Sequence, residues 1–226
     1  MDHQARKFMY VGKPLKRRED VKFLTGRGHY VDDLSFPDMA YIAFVRSPHA
    51  HARIRRIGTE AARALPGVLR VLTAQDWVAA GHGKIPCLHP MPFSDGRPMN
   101  EALRQSLAVG KVRYVGEIVA AVVAASGYVA VDAAEAVEVD YEPLPAVSDT
   151  AKTLDPDAVI IHEALGTNLV NETIRGDRAA TDAAFARAAH VTALSLTSQR
   201  VAGMPMEPRS LVATHDAATG ETVLWA

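Results

Sequence analysis

The run Ile118–Ala124, IVAAVVA, constrains this chain more than any other stretch. It carries no polar side chain over seven consecutive positions. A half-solvated strand alternates apolar and polar residues; an unbroken apolar run of this length reads as a strand covered on both faces. It belongs to a longer apolar stretch, IVAAVVAASGYVAV, which Ser126 and Gly127 interrupt and which is too short to span a bilayer. The chain must therefore supply apolar layers to both sides of this strand. At 226 residues and 48% hydrophobic it has the material to do so.

The surrounding text supplies the elements. Tyr41, Ile42, Phe44 and Val45 mark a strand that SPH turns. HARIRRI alternates, with Ala52, Ile54 and Ile57 set against arginines. TEAARALPG reads as a short helix with Thr59 at its N-cap and a Pro-Gly stop. VLRVLTAQD reads as a third strand. KVRYV and EIVAAVVA form two strand runs split at Gly116 and Glu117. A helix capped by Ser126 follows, then the strand VEVDYEPLPAV. Two strand–helix–strand units in succession predict an α+β domain over residues 20–147. Residues 1–25 are charged and irregular, with 1–19 an N-terminal extension, and 148–175 read as a linker. From 176 the pattern changes. TDAAFARAAH predicts a helix capped by Thr181 or Asp182, and VTALSLTSQR alternates as a strand. SLVATHD, the turn AATG and ETVLWA predict a hairpin. The chain ends inside that last strand, so the expectation is the front of a longer polypeptide.

Composition excludes several functions. A net charge of -1 leaves no basic surplus for nucleic acid, and 6% aromatics leave no base-stacking platform. One cysteine, Cys87, forms no internal disulfide and holds no iron–sulfur centre. It reads as a buried small hydrophobe. The polar N-terminus lacks a signal-peptide apolar region, so the expected location is the cytoplasm.

No catalytic constellation stands out. His49 and His51 would share a strand face, but a third ligand is missing and their context is a turn. His82 and His89 flank Cys87 without zinc-site spacing. Asp32 and Asp33 are adjacent and would face opposite ways on a strand. No catalytic and no metal-binding residue is therefore assigned. The long irregular stretch 80–104 holds four prolines and three glycines, the mark of a functional loop. In QRVAGMPMEPRS, Pro205 and Pro208 hold Met204 and Glu207 extended, and Glu207 and Arg209 read as a rigid polar pair.

Seven phrases, in order, carry a resemblance: FLTGRGHYVDDL, AFVRSPHAHARI, ALPGVLRVLTAQD, VRYVGEIVAAVVA, AVEVDYEPLPAV, QRVAGMPMEPRSLVA and TVLWA. Together they resemble the molybdenum-binding large subunit of the xanthine dehydrogenase, aldehyde oxidase and carbon monoxide dehydrogenase family. The resemblance implies an a/b hammerhead domain over 20–147 and, over 176–226, the first strands of a truncated molybdopterin-binding domain. It implies an oxidation of an aldehyde, an N-heterocycle or carbon monoxide with water as oxygen source. It further implies a molybdenum–molybdopterin cofactor in dinucleotide form, and iron–sulfur clusters and FAD on small and medium partner subunits. The family's glycine-rich pterin loop and its active-site glutamate lie beyond the residues present, so this stretch is expected to bind no cofactor and to be inert alone. Met91, Phe93 and Leu103 are expected at the mouth of the substrate funnel. Glu207 and Arg209 are expected as structural polar struts near the cofactor. The rival reading is a free-standing interaction or scaffold protein of hammerhead fold without molybdenum.

Overall fold

The structure, a computed structural model, describes residues 10, 12–102, 104–199, 201–205 and 208–226. The elements in chain order are α1 (Asp20–Leu24), β1 (Tyr41–Arg46), β2 (Ala52–Gly58), α2 (Glu60–Ala64), β3 (Val68–Thr73), α3 (Ala74–Ala79), β4 (Lys111–Val112), β5 (Ile118–Ala124), α4 (Gly127–Glu135), β6 (Glu138–Pro143), α5 (Arg178–Arg187), β7 (Val212–His215) and β8 (Thr222–Trp225). They fall into two units: Asp38–Leu194, and the described residues up to Pro37 together with those from Ser195 on.

The larger unit contains two antiparallel three-stranded sheets, ordered β1-β5-β3 and β4-β2-β6. Each strand–helix–strand unit sends its two strands to different sheets: β2 and β3 part company across α2, as do β5 and β6 across α4. β5 is the central strand of the first sheet, and its apolar text is explained by what lies on either side. Ala120 and Val122 face α2 and α4, packing with Ala62, Val71, Ala133 and Val137. On the other face Ala121 meets Ala74 and Leu107, while Val119 packs with Ala52, Ala108 and Val112. The small residues Ala130 and Ala133 on α4 are buried, so the helix lies close over the sheet.

The caps follow the sequence in part. Ser126 Oγ accepts the Val129 N–H at 3.3 Å and starts α4 as expected. Thr59 sits at the N-cap of α2 without a side-chain bond. Beyond α2, Gly67 adopts φ +87°, and its carbonyl accepts the Ala125 N–H at 2.9 Å. Any other residue would be strained at that φ.

Several expectations are corrected. VLRVLTAQD is not one strand: β3 stops at Thr73 and α3 begins. The cause is Asp76, whose carboxylate accepts both the Thr73 N–H and the Thr73 hydroxyl at 2.7 Å. That capping box outweighs the β-branched text before it. KVRYV shortens to the two-residue β4. α5 is capped by Asp177, which accepts the Ala180 N–H at 2.9 Å; Thr181 instead lies within the helix and its hydroxyl bonds back to the Asp177 carbonyl. Residues 191–199 form no strand and are exposed. Asp32 and Asp33 lie in a 3-10 turn, with Asp33 accepting the Tyr30 N–H at 2.9 Å, and α1 interrupts the N-terminal stretch read as irregular. Cys87 is exposed, because it sits in the proline-rich loop rather than under a sheet.

In the smaller unit β7 and β8 pair as the expected hairpin, from Val212↔Trp225 to His215↔Thr222. The Trp225 ring lies 6.1 Å from that of Phe36. Among the described residues no helix is long and apolar enough to cross a membrane.

Val122 is fully buried at the centre of β5. Val122→Ala should lower unfolding stability by about 2–3 kcal/mol, from lost transfer energy plus a cavity. Urea denaturation checks this, with the midpoint falling at unchanged slope.

Candidate functional site

The loop singled out for its prolines and glycines is ordered by a second segment. Phe93 N–H donates to the Arg97 carbonyl at 2.9 Å, and Gly96 N–H to the Phe93 carbonyl at 2.9 Å, closing a tight turn. Asp95 holds Arg97 from below through its backbone N–H and its guanidinium, which keeps the Asp95 carboxyl below the ordinary range. The Arg97 guanidinium lies 4.5 Å from the centre of the Phe93 ring. Phe93 is only 6% exposed beneath it, whereas Met91 is 56% exposed. Of the two, Met91 alone is presented to solvent; Phe93 fixes the loop from inside. Leu103 lies outside the described residues.

Six polar contacts zip this loop to residues 169–174. The Ser94 N–H and hydroxyl both reach the Glu172 carbonyl, at 3.1 and 3.4 Å, and Ser94 Oγ accepts the Ile174 N–H at 2.6 Å. Asn100 donates its backbone N–H to Val170 O and its side-chain amide to Leu169 O, both at 2.8 Å. Asn171 Nδ2 donates to Met91 O at 3.2 Å. Upstream, Asn168 accepts the Ile161 N–H at 3.0 Å and donates to the carbonyls of Thr153 and Val159 at 3.1 and 2.8 Å. Sequence reading missed this partner. The asparagines at 168 and 171 were the available signal, since such side chains bond loop backbone.

A second concentration of polar groups surrounds the turn between β4 and β5. Ser47 brackets that turn: its N–H donates to Glu117 O at 2.9 Å, and its carbonyl accepts the Gly116 N–H at 2.8 Å. Glu117, 7% exposed, accepts the Arg113 N–H at 2.5 Å. Burial pushes its carboxyl above the ordinary value, against the opposing pull of that bond and the Arg113 charge. Lys111 pairs with Glu163 and, with the Glu163 backbone, draws its pKa down to about 2. His51, 4% exposed, places Nδ1 2.7 Å from Pro145 O, and His49 packs edge-on against Tyr141 at 4.9 Å. The HAH pair is thus absorbed into packing. His82 likewise lies against Trp77, with ring centres 4.1 Å apart.

A cleft of about 670 Å³ opens on the same unit, lined chiefly by Ile54, Ile57, Ala74, Val78, Ala108 and Val109. It touches neither Met91 nor Phe93. Among the described residues no three His, Cys, Asp or Glu side chains could hold a metal ion. Arg209 is exposed, and Glu207 lies outside the described residues.

The a/b hammerhead domain of aldehyde oxidase and xanthine dehydrogenase matches residues 25–145, and the molybdopterin cofactor-binding domain matches 161–226. The chain belongs to the aldehyde oxidase and xanthine dehydrogenase family. The carbon monoxide dehydrogenase large chain of Afipia carboxidovorans is 42% identical over 234 residues, covering 98% of this chain and 28% of that relative. The nicotine 6-hydroxylase large subunit of Paenarthrobacter nicotinovorans is 37% identical over 219 residues, 95% of this chain and 25% of the relative. In crystal structures, a Cu,Mo-CO dehydrogenase in its carbon monoxide reduced state superposes with TM-score 0.78 at 42% identity, over 95% of this chain and 27% of the other. Quinoline 2-oxidoreductase from Pseudomonas putida 86 gives 0.80 at 38%, over 93% and 26%. The chain thus spans about a quarter of the length of these relatives.

The family implies a molybdopterin group. The described part of the matched cofactor-domain segment offers one hairpin, one exposed helix, exposed extended chain and the half-buried stretch 161–174, whose Asn168 is spent on backbone groups. It brings no converging donor set, so these residues do not by themselves fit the group, and no chemical step is derived through it.

The titration of Glu117 gives a direct test of the polar turn. A carboxyl raised by burial favours the folded state below pH 4.5, and that advantage is lost as pH rises through the folded value. Compared with Glu117→Gln, the wild type's stability margin should shrink as pH rises from 4 to 7. Urea midpoints at stepped pH measure it; a margin independent of pH would mean that folding leaves the proton affinity of the Glu117 carboxyl unchanged.

Proposed function

We propose that this chain is the N-terminal portion of a molybdenum hydroxylase large subunit. The reaction is oxidation of an aldehyde, an N-heterocycle or carbon monoxide, with water as oxygen source. The observation that carries this reading is the order of the two matched domains on one chain, sustained at 42% identity over 98% of its length to a carbon monoxide dehydrogenase large chain. Full activity then requires the rest of the large subunit, a molybdenum–molybdopterin cofactor, and small and medium subunits carrying iron–sulfur clusters and FAD. The site of action is the cytoplasm.

Within that enzyme the loop at 85–104 borders the substrate entrance. Met91 is its exposed apolar contact and Phe93 holds the turn from inside; Leu103, the third residue expected there, lies outside the described residues. Glu207 and Arg209, within the matched cofactor-binding segment, are read as polar struts near the cofactor, Glu207 lying outside the described residues. On this reading the isolated chain, about a quarter of the length of its relatives, is inert.

Elemental mass spectrometry of the purified 226-residue chain should find no stoichiometric molybdenum. Substituted for the matched segment of the Afipia carboxidovorans large chain, it should give an assembled, molybdenum-loaded enzyme. In the same substitution made in the nicotine 6-hydroxylase large subunit of Paenarthrobacter nicotinovorans, Met91→Ala should raise KM for nicotine several-fold with kcat little altered, as loss of uniform binding does. Molybdenum held by the isolated chain, or a folded chimera that loads none, would contradict the reading.

A further inference from the structure

The loop at 85–104 is held by residues 169–174, and that segment is in turn tethered at residues 161–163. The tether has three parts. Arg113 Nε donates to Ile161 O at 3.3 Å. Lys111 pairs with Glu163, which opens a short 3-10 turn through Leu165. Asn168 folds the segment back on itself by bonding Ile161, Thr153 and Val159. His162 sits half-buried at the centre of this anchor.

We propose that residues 161–174 form an acid-releasable strap: protonation of His162 frees its anchor from β4 and thereby loosens the 85–104 loop. The argument is one of charge placement. The positions on either side of His162 are each held by a cation: Ile161 O by Arg113, which follows β4, and Glu163 by Lys111 on β4; His51, which precedes β2, adds a lesser push. Behind them stands Glu117, bonded to the Arg113 N–H. Two cations and a second imidazole therefore surround one carboxylate that already has a partner. A proton on His162 adds positive charge where Arg113 and Lys111 hold the strap down. Opening the strap relieves that repulsion by returning His162 to water.

Burial, then the Arg113 charge, with a lesser push from His51, hold His162 below its ordinary value of 6.5, while Glu163 pulls it upward. A histidine lowered in the closed form binds its proton more readily in the open form. The closed form therefore has its full advantage above pH 6.5 and loses it as pH falls from there toward the lowered value, by at most about tenfold in the closed-to-open ratio per pH unit. Glu163, lowered to about 2, stays ionised throughout this window. Glu117 is shifted the other way and acts with opposite sign, so it cannot imitate the release. The strap and loop respond together because backbone and side-chain amide groups of each bond the other.

The test is amide hydrogen exchange of the 226-residue chain at pH 7.5, 6.5 and 5.5, corrected for the intrinsic rate at each pH. Peptides covering 158–176 and 88–102 should exchange threefold to tenfold faster at pH 5.5 than at pH 7.5, while peptides covering 118–135 stay protected. His162→Gln should abolish that dependence. Glu163→Gln should speed strap exchange already at pH 7.5, since it removes the partner of Lys111. In the wild type, the His162 ring resonances should titrate below 6.5. Corrected rates that do not change with pH would overturn the proposal. So would a dependence that survives His162→Gln, acid exchange that spreads equally to 118–135, or a His162 ring that titrates at or above 6.5.

Discussion

The coverage of β5 on both faces is the constraint on which the rest depends. A strand of seven apolar residues cannot expose either face to water, so the fold must bring two separate layers to it. The helices α2 and α4 provide one. The other is assembled from pieces distant in sequence: Ala74 at the start of α3, Leu107 and Ala108 ahead of β4, and Ala52 and Val112 from the second sheet. This explains why each strand–helix–strand unit divides its strands between two sheets. The second sheet is not an independent layer that happens to lie nearby; it closes the core begun by the first.

The same arrangement positions the polar groups. The turn between β4 and β5 must pass from the second sheet to the first within a few residues. Glu117 sits at that passage, buried because the strand it precedes is buried. Its carboxylate answers the Arg113 N–H inside the turn, and Ser47 answers the turn's outer backbone. The site's electrostatics are thus a by-product of joining two sheets at one core, and the strap at 161–163 docks where that junction leaves Lys111 and Arg113.

Periodicity made the central elements legible. The apolar run, the alternation of HARIRRI and the Ser126 cap were each readable because one local signal agreed with the tertiary demand. Errors arose where two signals competed. At TAQD the β-branched text continued while the Thr73–Asp76 capping box had already started a helix. At 191–199 the alternation was present, but no partner strand accompanies it among the described residues, and alternation alone makes no sheet. The family was readable from seven ordered phrases. The candidate site was readable only in half: the loop at 80–104 showed itself through Pro and Gly, whereas its partner at 169–174 did not. Its hydrogen bonds run mostly through backbone, and backbone partners seventy or eighty positions apart leave no mark in side-chain periodicity.

That pairing of two irregular segments also bears on how such a chain can diversify. Surface loops ordinarily gain and lose residues without penalty, each on its own. Here Ser94, Asn100 and Met91 meet Glu172, Val170, Leu169 and Asn171 in fixed register, so an inserted or deleted residue in one segment misaligns every bond to the other. Length changes in the two must arise together or be confined to the outer turn at Asp95–Gly96. Variation is thereby channelled into side-chain identity at an unaltered backbone, above all at exposed Met91, where one substitution alters the surface and leaves the register intact.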